Sequence, residues 1–381
     1  MKILYVNKIA PRSEGGGEVV LHEVGKRLVK KAHEIYMVCG KTEPHLPDYE
    51  EIDGIRIHYV STIPDFLFRF KKLSFYLSRY LFYFLSVKKI YKVGKHVDII
   101  IDDVAPVPSL AYPISRIQGK PTYAIIHEFL GFEWFRSRDT VTAILGFSAQ
   151  RLLKVFNFDK IITVSQFTRD RLVKFGLNPE KIFVIPNGID PSRINHYDEG
   201  ILPNNSISVL GRLVKLKGHI YLIKAMKIVA TEIPGIRLNI IGDGPLRNLL
   251  EAKVTEYGLD HNIIFWGRVS DQQKFNILRS SEIFVMPSLL EGFGIVLLEA
   301  MACNLPIVAN NLLVFREIFL DGKTGYLVDV KNTEEFASKI VELLKDEQQR
   351  KEMGKYNREY VKQFSWDRTA DMEEKVLLGA K

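Results

Sequence analysis

Glu291 and Glu299 are separated by seven residues, 292–298, and that interval holds a Gly-Phe-Gly turn (Gly292, Phe293, Gly294) opening a helical run from Ile295 to Cys303. The preceding IFVMPS (283–288) is short, apolar and rich in β-branched and aromatic residues, which reads as a buried strand. Strand, glycine turn and helix together make the anion site of open α/β sheets. The glycines let backbone amides approach a ligand, and the helix start presents unpaired N–H groups with a partial positive charge. Glu291 is expected on the loop facing the crevice, and Glu299 about one turn into the helix. Among Val296, Leu297, Leu298, Ala300 and Met301, Glu299 needs a partner to offset its desolvation, and a ribose diol is one good partner. A plain turn followed by a core helix that carries one glutamate is the competing reading.

Other residues favour the ligand reading. In GRLVKLKGH, Arg212 and Lys217 stand five positions apart at the turn after a strand. Two cations there, facing a helix N-terminus, would neutralise a pyrophosphate; the alternative is a surface loop with ordinary basic residues. IGDGP (241–245) is a further tight glycine turn at a strand end, expected on the same rim. FWGRVSD (265–271) puts Arg268 and Val269 where backbone groups could contact a base. Near the start, Gly15-Gly16-Gly17-Glu18 again joins a strand to a helix, without the spacing of a dinucleotide fingerprint or a P-loop. It admits a phosphate or a sugar, or is only a turn. Asp102-Asp103 follow VDIII (97–101), and His127-Glu128 follow TYAII (122–126), at strand ends where open α/β sheets place ligands. His127 reads as an orienting or acid/base group, against the alternative of a solvated loop histidine.

The elements that must position these residues alternate throughout. Strands are expected at Ile3–Asn7, 97–101, 122–126, 160–165, 182–185, 207–213, 236–242, 263–267, 283–287 and 306–309, with helical patterns between. Ser165 is an expected N-cap for Gln166–Lys174, and Ser365 for a final helix that packs back onto earlier structure. Alternation of this kind predicts parallel sheets in both halves, with crevices facing each other. The chain's 381 residues suit two domains, 1–190 and 191–363, with 364–381 returning to the first; Pro203, Asn204 and Asn205 lie in a polar stretch that reads as the linker.

Composition is that of an ordinary soluble protein, 46% hydrophobic and 26% charged. With Cys39 and Cys303 its only cysteines, the chain has no disulfide framework and no cysteine-based zinc site, which fits a reducing compartment. The opening apolar run is too short for a signal peptide, and no segment reaches the roughly 20 apolar residues of a membrane span. The net charge of +8 is lopsided. Residues 1–190 hold 28 Lys+Arg against 20 Asp+Glu, while 191–381 hold 25 of each, so an anionic partner is expected on the first half. Residues 66–95 carry eight basic residues, no acid and dense aromatics. A domain helix with one face in the core accounts for that stretch as well as an anionic membrane surface does. Of the two anionic partners, membrane ranks above nucleic acid, because no nucleic-acid motif accompanies the run.

Taken together and in order, GGGE, His127, IPNGID, GRLVKLKG, GDGP, GRVSD, EGFGIVLLEAMACNLPIVA and the terminal FSW helix resemble the retaining glycosyltransferases of family four, over nearly the whole chain. The resemblance implies the GT-B fold, two facing Rossmann-like domains, and transfer of a sugar from a nucleotide-diphosphate sugar with retention at the anomeric carbon. It implies that Arg212 and Lys217 bind the donor pyrophosphate, Glu291 contacts the donor sugar and Glu299 binds the ribose. Amides of Gly292, Phe293, Gly294 and Ile295 would hold phosphate, His127 would lie by the transferred sugar, and Gly16 and Gly17 would border donor and acceptor. No catalytic metal is expected, and the sequence has no Asp-x-Asp triplet to hold one. Many relatives carry a histidine after the strand where this chain has Asp102-Asp103. The reading is a cytoplasmic enzyme at the inner membrane face with a lipid-linked or otherwise membrane-held glycan acceptor. Its alternatives are the same fold with a small soluble acceptor, and a nucleotide-binding scaffold without chemistry.

Overall fold

Runs such as KILYVN, IIIDD and TYAII have no polar face, so they are stable only inside a sheet covered on both sides, which demands parallel strands with helical crossovers. The computed structural model, described for residues 1–9, 16–41, 43, 45–63, 81–104, 107–137, 140–194 and 205–379, has that construction twice. The chain divides into two compact units, Met1–Gly188 with Trp366–Lys381, and Ile189–Ser365.

Among the described residues the first unit has eight strands: β1 (Lys2–Asn7), β2 (Glu34–Gly40), β3 (Tyr49–Ile52), β4 (Ile55–Val60), β5 (Ile99–Asp103), β6 (Thr122–Ile126), β7 (Lys160–Thr163) and β8 (Ile182–Val184). Their spatial order is β3-β4-β2-β1-β5-β6-β7-β8. The winding reverses at β1, which pairs with β2 on one side and β5 on the other, with Tyr5 opposite Met37 and Ile101. A reversal of this kind opens a crevice at the strands' carboxyl ends. One core cluster packs Leu4, Val6, Val38 and Ile100 of the sheet against Phe82, Ile90 and Val93.

Three expectations change here. The sheet is not wholly parallel: β3 pairs antiparallel with β4. Asp53 and Gly54 turn that hairpin with φ of 51° and 79°, the left-handed pair that an Asp-Gly turn favours, so the signal was present in the sequence. β5 extends to Asp103, so the two aspartates are the last residues of the strand and are buried, not polar residues beyond it. The expected run 66–95 is not one uninterrupted helix in its described part. Helix at 81–85 gives way to a turn at Ser86 and resumes as Val87–Gly94, with Phe82 and Ile90 fully buried. Residues 66–80, with Arg69, Lys71, Lys72 and Arg79, lie outside the described residues, as do Gly15, Pro203 and Asn204.

The second unit holds six parallel strands: β9 (Ser206–Leu210), β10 (Arg237–Ile241), β11 (Ile263–Gly267), β12 (Ile283–Met286), β13 (Ile307–Asn310) and β14 (Gly325–Val328). Their order is β11-β10-β9-β12-β13-β14. The reversal falls between β9 and β12, which pair directly with Ile207 opposite Ile283. Ile207, Val209, Leu238, Ile240, Val285 and Val308 fill the core with Met226, Phe336 and Ile340 from the covering helices.

The last helix, Trp366–Leu377, buries Trp366, Thr369, Ala370, Glu373, Val376 and Leu377 within the first unit and packs on the helix Gly16–Lys30. Polar contacts fix it there. Thr369 Oγ1 donates to the Pro186 carbonyl (2.8 Å), Lys31 Nζ meets Asp371 (2.7 Å) and Glu374 (2.6 Å), and Arg27 Nε donates to Asp367 (2.7 Å).

Candidate functional site

In the second unit the charged residues gather where the winding reverses. Arg212 and Lys217 follow β9 and Glu291 follows β12; because these strands are neighbours, positions 74 residues apart meet, and Lys217 Nζ donates to Glu291 Oε1. The two loops are tied by backbone, Leu289 N donating to the Leu216 carbonyl at 2.7 Å. Gly218 permits this approach. Its φ is 66°, and a Cβ there would stand 2.0 Å from the Pro287 carbonyl oxygen. The IGDGP turn braces the same loop, since Cβ atoms at Gly242 and Gly244 would meet the carbonyl oxygens of Gly211 (2.2 Å) and Leu213 (2.5 Å). Arg212 is exposed and pairs with no carboxylate among the described residues.

Gly294 caps the helix Ile295–Ala302 with φ 103°, and Gly292 and Phe293 before it are buried. Glu299 lies in the second turn of this helix. Its offsetting partner within the protein is Lys274, whose Nζ donates to Glu299 Oε1 at 2.7 Å with both side chains largely buried. Burial alone would lower the Lys274 pKa, yet Glu299 and Asp271 hold it above the ordinary lysine value. Lys274 was missed from sequence. It sits on a helix, Asp271–Arg279, capped by the Ser270 hydroxyl, and nothing local separates it from Arg279. Arg268 and Val269 follow β11, two strands from β9, and lead into the helix that carries Lys274; Arg268 is exposed. No group of three or more His, Cys, Asp or Glu suited to a metal ion occurs among the described residues.

The first unit assembles its own cluster at the carboxyl ends of β1, β5 and β6. His127, just past β6, has Nε2 3.3 Å from Asp103 Oδ1 at the end of β5. Gly17, on the helix after β1, faces the imidazole so closely that a Cβ would come within 3.1 Å of it, whereas Gly16 is exposed. Burial opposes a charged imidazole, but Asp103, then Glu18 and Glu373, raise its pKa above the ordinary histidine value. Glu373 comes from the last helix. It is fully buried and accepts a hydrogen bond from Tyr5 Oη at 2.6 Å, and burial pushes its pKa up to about 7. Asp102 is raised to about 6 by burial, while Oδ2 accepts from the Ser109 backbone N–H at 2.8 Å, so it anchors the loop after β5. Tyr5 and Glu373 were not singled out from sequence. The signal was available, because Glu373 falls on the face set by Trp366, Thr369, Ala370 and Leu377, the only acid on that apolar stripe.

Two doubly wound units, each with charged side chains collected at the carboxyl edge of its sheet, define an α/β protein whose winding reverses beside those charges in both units. A family model described as Glycosyltransferase Family 4 matches residues 14–193, and one described as Glycosyl transferases group 1 matches residues 197–360. The chain belongs to this family of glycosyltransferases, with the GT-B fold. An uncharacterized glycosyltransferase of Methanocaldococcus jannaschii is 28% identical over 97% of this chain and 96% of its own. A second from the same organism is 34% identical over 56% of this chain and 57% of its own. A UDP-Gal:alpha-D-GlcNAc-diphosphoundecaprenol alpha-1,3-galactosyltransferase of Escherichia coli is 28% identical over 91% and 88%. Among solved structures, Anabaena HepE in complex with UDP-glucose superposes with a TM-score of 0.76 at 20% identity, covering 99% of this chain and 100% of that one.

Proposed function

We propose that this protein transfers a sugar from a nucleotide-diphosphate sugar to a lipid-linked or otherwise membrane-held glycan acceptor, with retention at the anomeric carbon and without a catalytic metal. The observation that carries the reading is the pair of Lys–Glu couples beside the β9/β12 reversal, Lys217 with Glu291 and Lys274 with Glu299, next to a glycine-capped helix start. As the glycosidic bond breaks, charge builds on the departing pyrophosphate. Arg212, Lys217 and the amides of Gly292–Ile295 meet that charge, which stabilises the transition state more than the ground state. Glu291 takes the donor sugar and Glu299 the ribose, while Arg268 and Val269 border the base. Gly16 and Gly17 border donor and acceptor. His127, held by Asp103, orients the transferred sugar. We assign it no nucleophilic role; the departing phosphate assists attack on the face it leaves.

The name of the Escherichia coli relative specifies a diphosphoundecaprenol acceptor, and HepE was solved with UDP-glucose; both support the substrate classes proposed here. Such an acceptor and the basic first half of the chain support a place at the inner face of the membrane. No helix among the described residues is long and apolar enough to cross a membrane. The eight basic residues of 66–95 support a peripheral contact. A small soluble acceptor is the second reading, favoured by Phe82, Ile90 and Val93, which give the described part of that stretch a packing task. A panel of nucleotide sugars with and without chelator, read by release of nucleoside diphosphate, tests the chemistry. No release with any donor removes the enzymatic reading, and activity abolished by chelator removes the metal-free one. The anomeric configuration of the product, read by NMR, tests retention.

A further inference from the structure

Among the described residues, exposed large apolar side chains are most numerous in one stretch. Phe132, Phe135, Ile144, Leu145, Leu152 and Val155 are all exposed within 24 residues of the first unit, Phe132 by 77% and Val155 by 69%. Phe132, Phe135 and Ile144 meet around one ring. The Phe147 ring packs on both Phe132 and Phe135, with centroids 5.1 and 5.6 Å apart. Ile144 precedes Phe147 by three residues on the helix Thr140–Gln150 and so shares its face. That helix, TVTAILGFSAQ, carries no charge along its length, although Ile144 and Leu145 point outward. A helix facing only water would place charged or polar groups there, so an apolar outer face this broad implies a partner.

Cations rim the patch. Arg151 lies 5.4 Å from the Phe147 ring centroid and Lys154 4.4 Å from that of Phe175. Both are exposed, and neither meets a carboxylate among the described residues. Tyr112, on the helix Ala111–Ile117, stacks on Phe156 at 4.8 Å, and that helix contacts Val87–Gly94. The exposed Lys88 and Lys92 thereby belong to the same side of the sheet.

We propose that this surface seats the protein on an anionic lipid bilayer. Phe132, Phe135, Ile144, Leu145, Leu152 and Val155 enter the boundary between headgroups and acyl chains, and Arg151, Lys154, Lys88 and Lys92 meet headgroup phosphates. Charge selects this occupant, because a second copy would set the same cations against one another. The inference rests on the reading of a membrane-held acceptor and supplies the surface which that reading leaves to residues 66–95. The test uses the full chain and vesicles of phosphatidylcholine with and without phosphatidylglycerol. Wild-type protein should co-sediment with the anionic vesicles, less so as salt rises. The double variant Ile144→Ser, Leu145→Ser should lower the partition coefficient about tenfold or more. Its circular dichroism melt and its release of nucleoside diphosphate with a short, water-soluble acceptor should match wild type. Wild-type binding that the double variant retains would place the contact elsewhere, overturning this surface while the membrane reading stands. No binding by either protein overturns both. Self-association lost in the variant, without vesicle binding, would assign the patch to a second copy instead.

Discussion

Lys274 offsets the buried charge of Glu299, whereas Lys274 itself also has Asp271, so removing Lys274 leaves Glu299 uncompensated at the site. Lys274→Ala should raise the KM for the donor tenfold to about a hundredfold, the range for losing a charge-assisted hydrogen bond, with a smaller effect on kcat. An unchanged donor KM would make the pair structural only. The Lys217 and Glu291 couple answers to a different measurement. Lys217→Ala and Glu291→Ala should each lower kcat by about two orders of magnitude or more while the melt stays cooperative, since Lys217 is assigned to the leaving group. Near-normal turnover in both would sink the assignment. The two glutamates and Lys217 were legible because glycines, a strand end and a helix start frame them in one dimension. Lys274 was not, because its significance lies in a contact across 25 residues that no local pattern announces. Asp103 was legible only as a strand-end acid; its nearness to the His127 imidazole needed the β5–β6 pairing.

At the level of elements, the loops after β9 and β12 lie as close as they do because Gly218 has no side chain. Gly218→Ala forces a left-handed residue and a Cβ into the Pro287 carbonyl, which should cost about 2 kcal/mol or more. The urea midpoint should fall with its slope kept, and donor KM should rise because Lys217 and Glu291 move apart; a wild-type midpoint and KM would refute the tight approach. Strand positions were readable wherever β-branched runs met turn residues, as in β6 and β11, which begin and end at the expected residues. The hairpin at β3–β4 differs from the uniformly apolar central strands in carrying Glu50, Glu51, Arg56 and His58. An edge strand open to water on one face needs no other pattern.

For the molecule as a whole, two buried carboxyls make the first unit sensitive to rising pH. Glu373 carries a pKa of about 7 against an ordinary 4.5, and Asp102 about 6 against 3.8, both raised chiefly by burial. The folded unit therefore keeps protons that the unfolded chain has already released. The stability this contributes is complete below about pH 4 and is lost as pH rises through 6 to 7. Glu373→Gln, which still accepts from Tyr5, should remove most of the Glu373 share of that loss, at most about 3 kcal/mol between pH 5 and pH 8. Urea titrations at the two values measure it; an equal loss in the variant would exclude Glu373 as the source. The variant should also lower the pKa of His127, readable by NMR, because one of the negative charges that raise it is gone. The helix that supplies Glu373 has one more consequence. Tyr5, Arg27 and Lys31, made early, wait for partners on residues 366–377, made after the whole of 189–365. The first unit, although its strands are made first, therefore cannot close until the end of the chain has left the ribosome, against the usual amino-terminal-first course. A released chain truncated after Ser365 should accordingly present a protease-resistant second unit and a first unit cleavable at Tyr5 and Lys31.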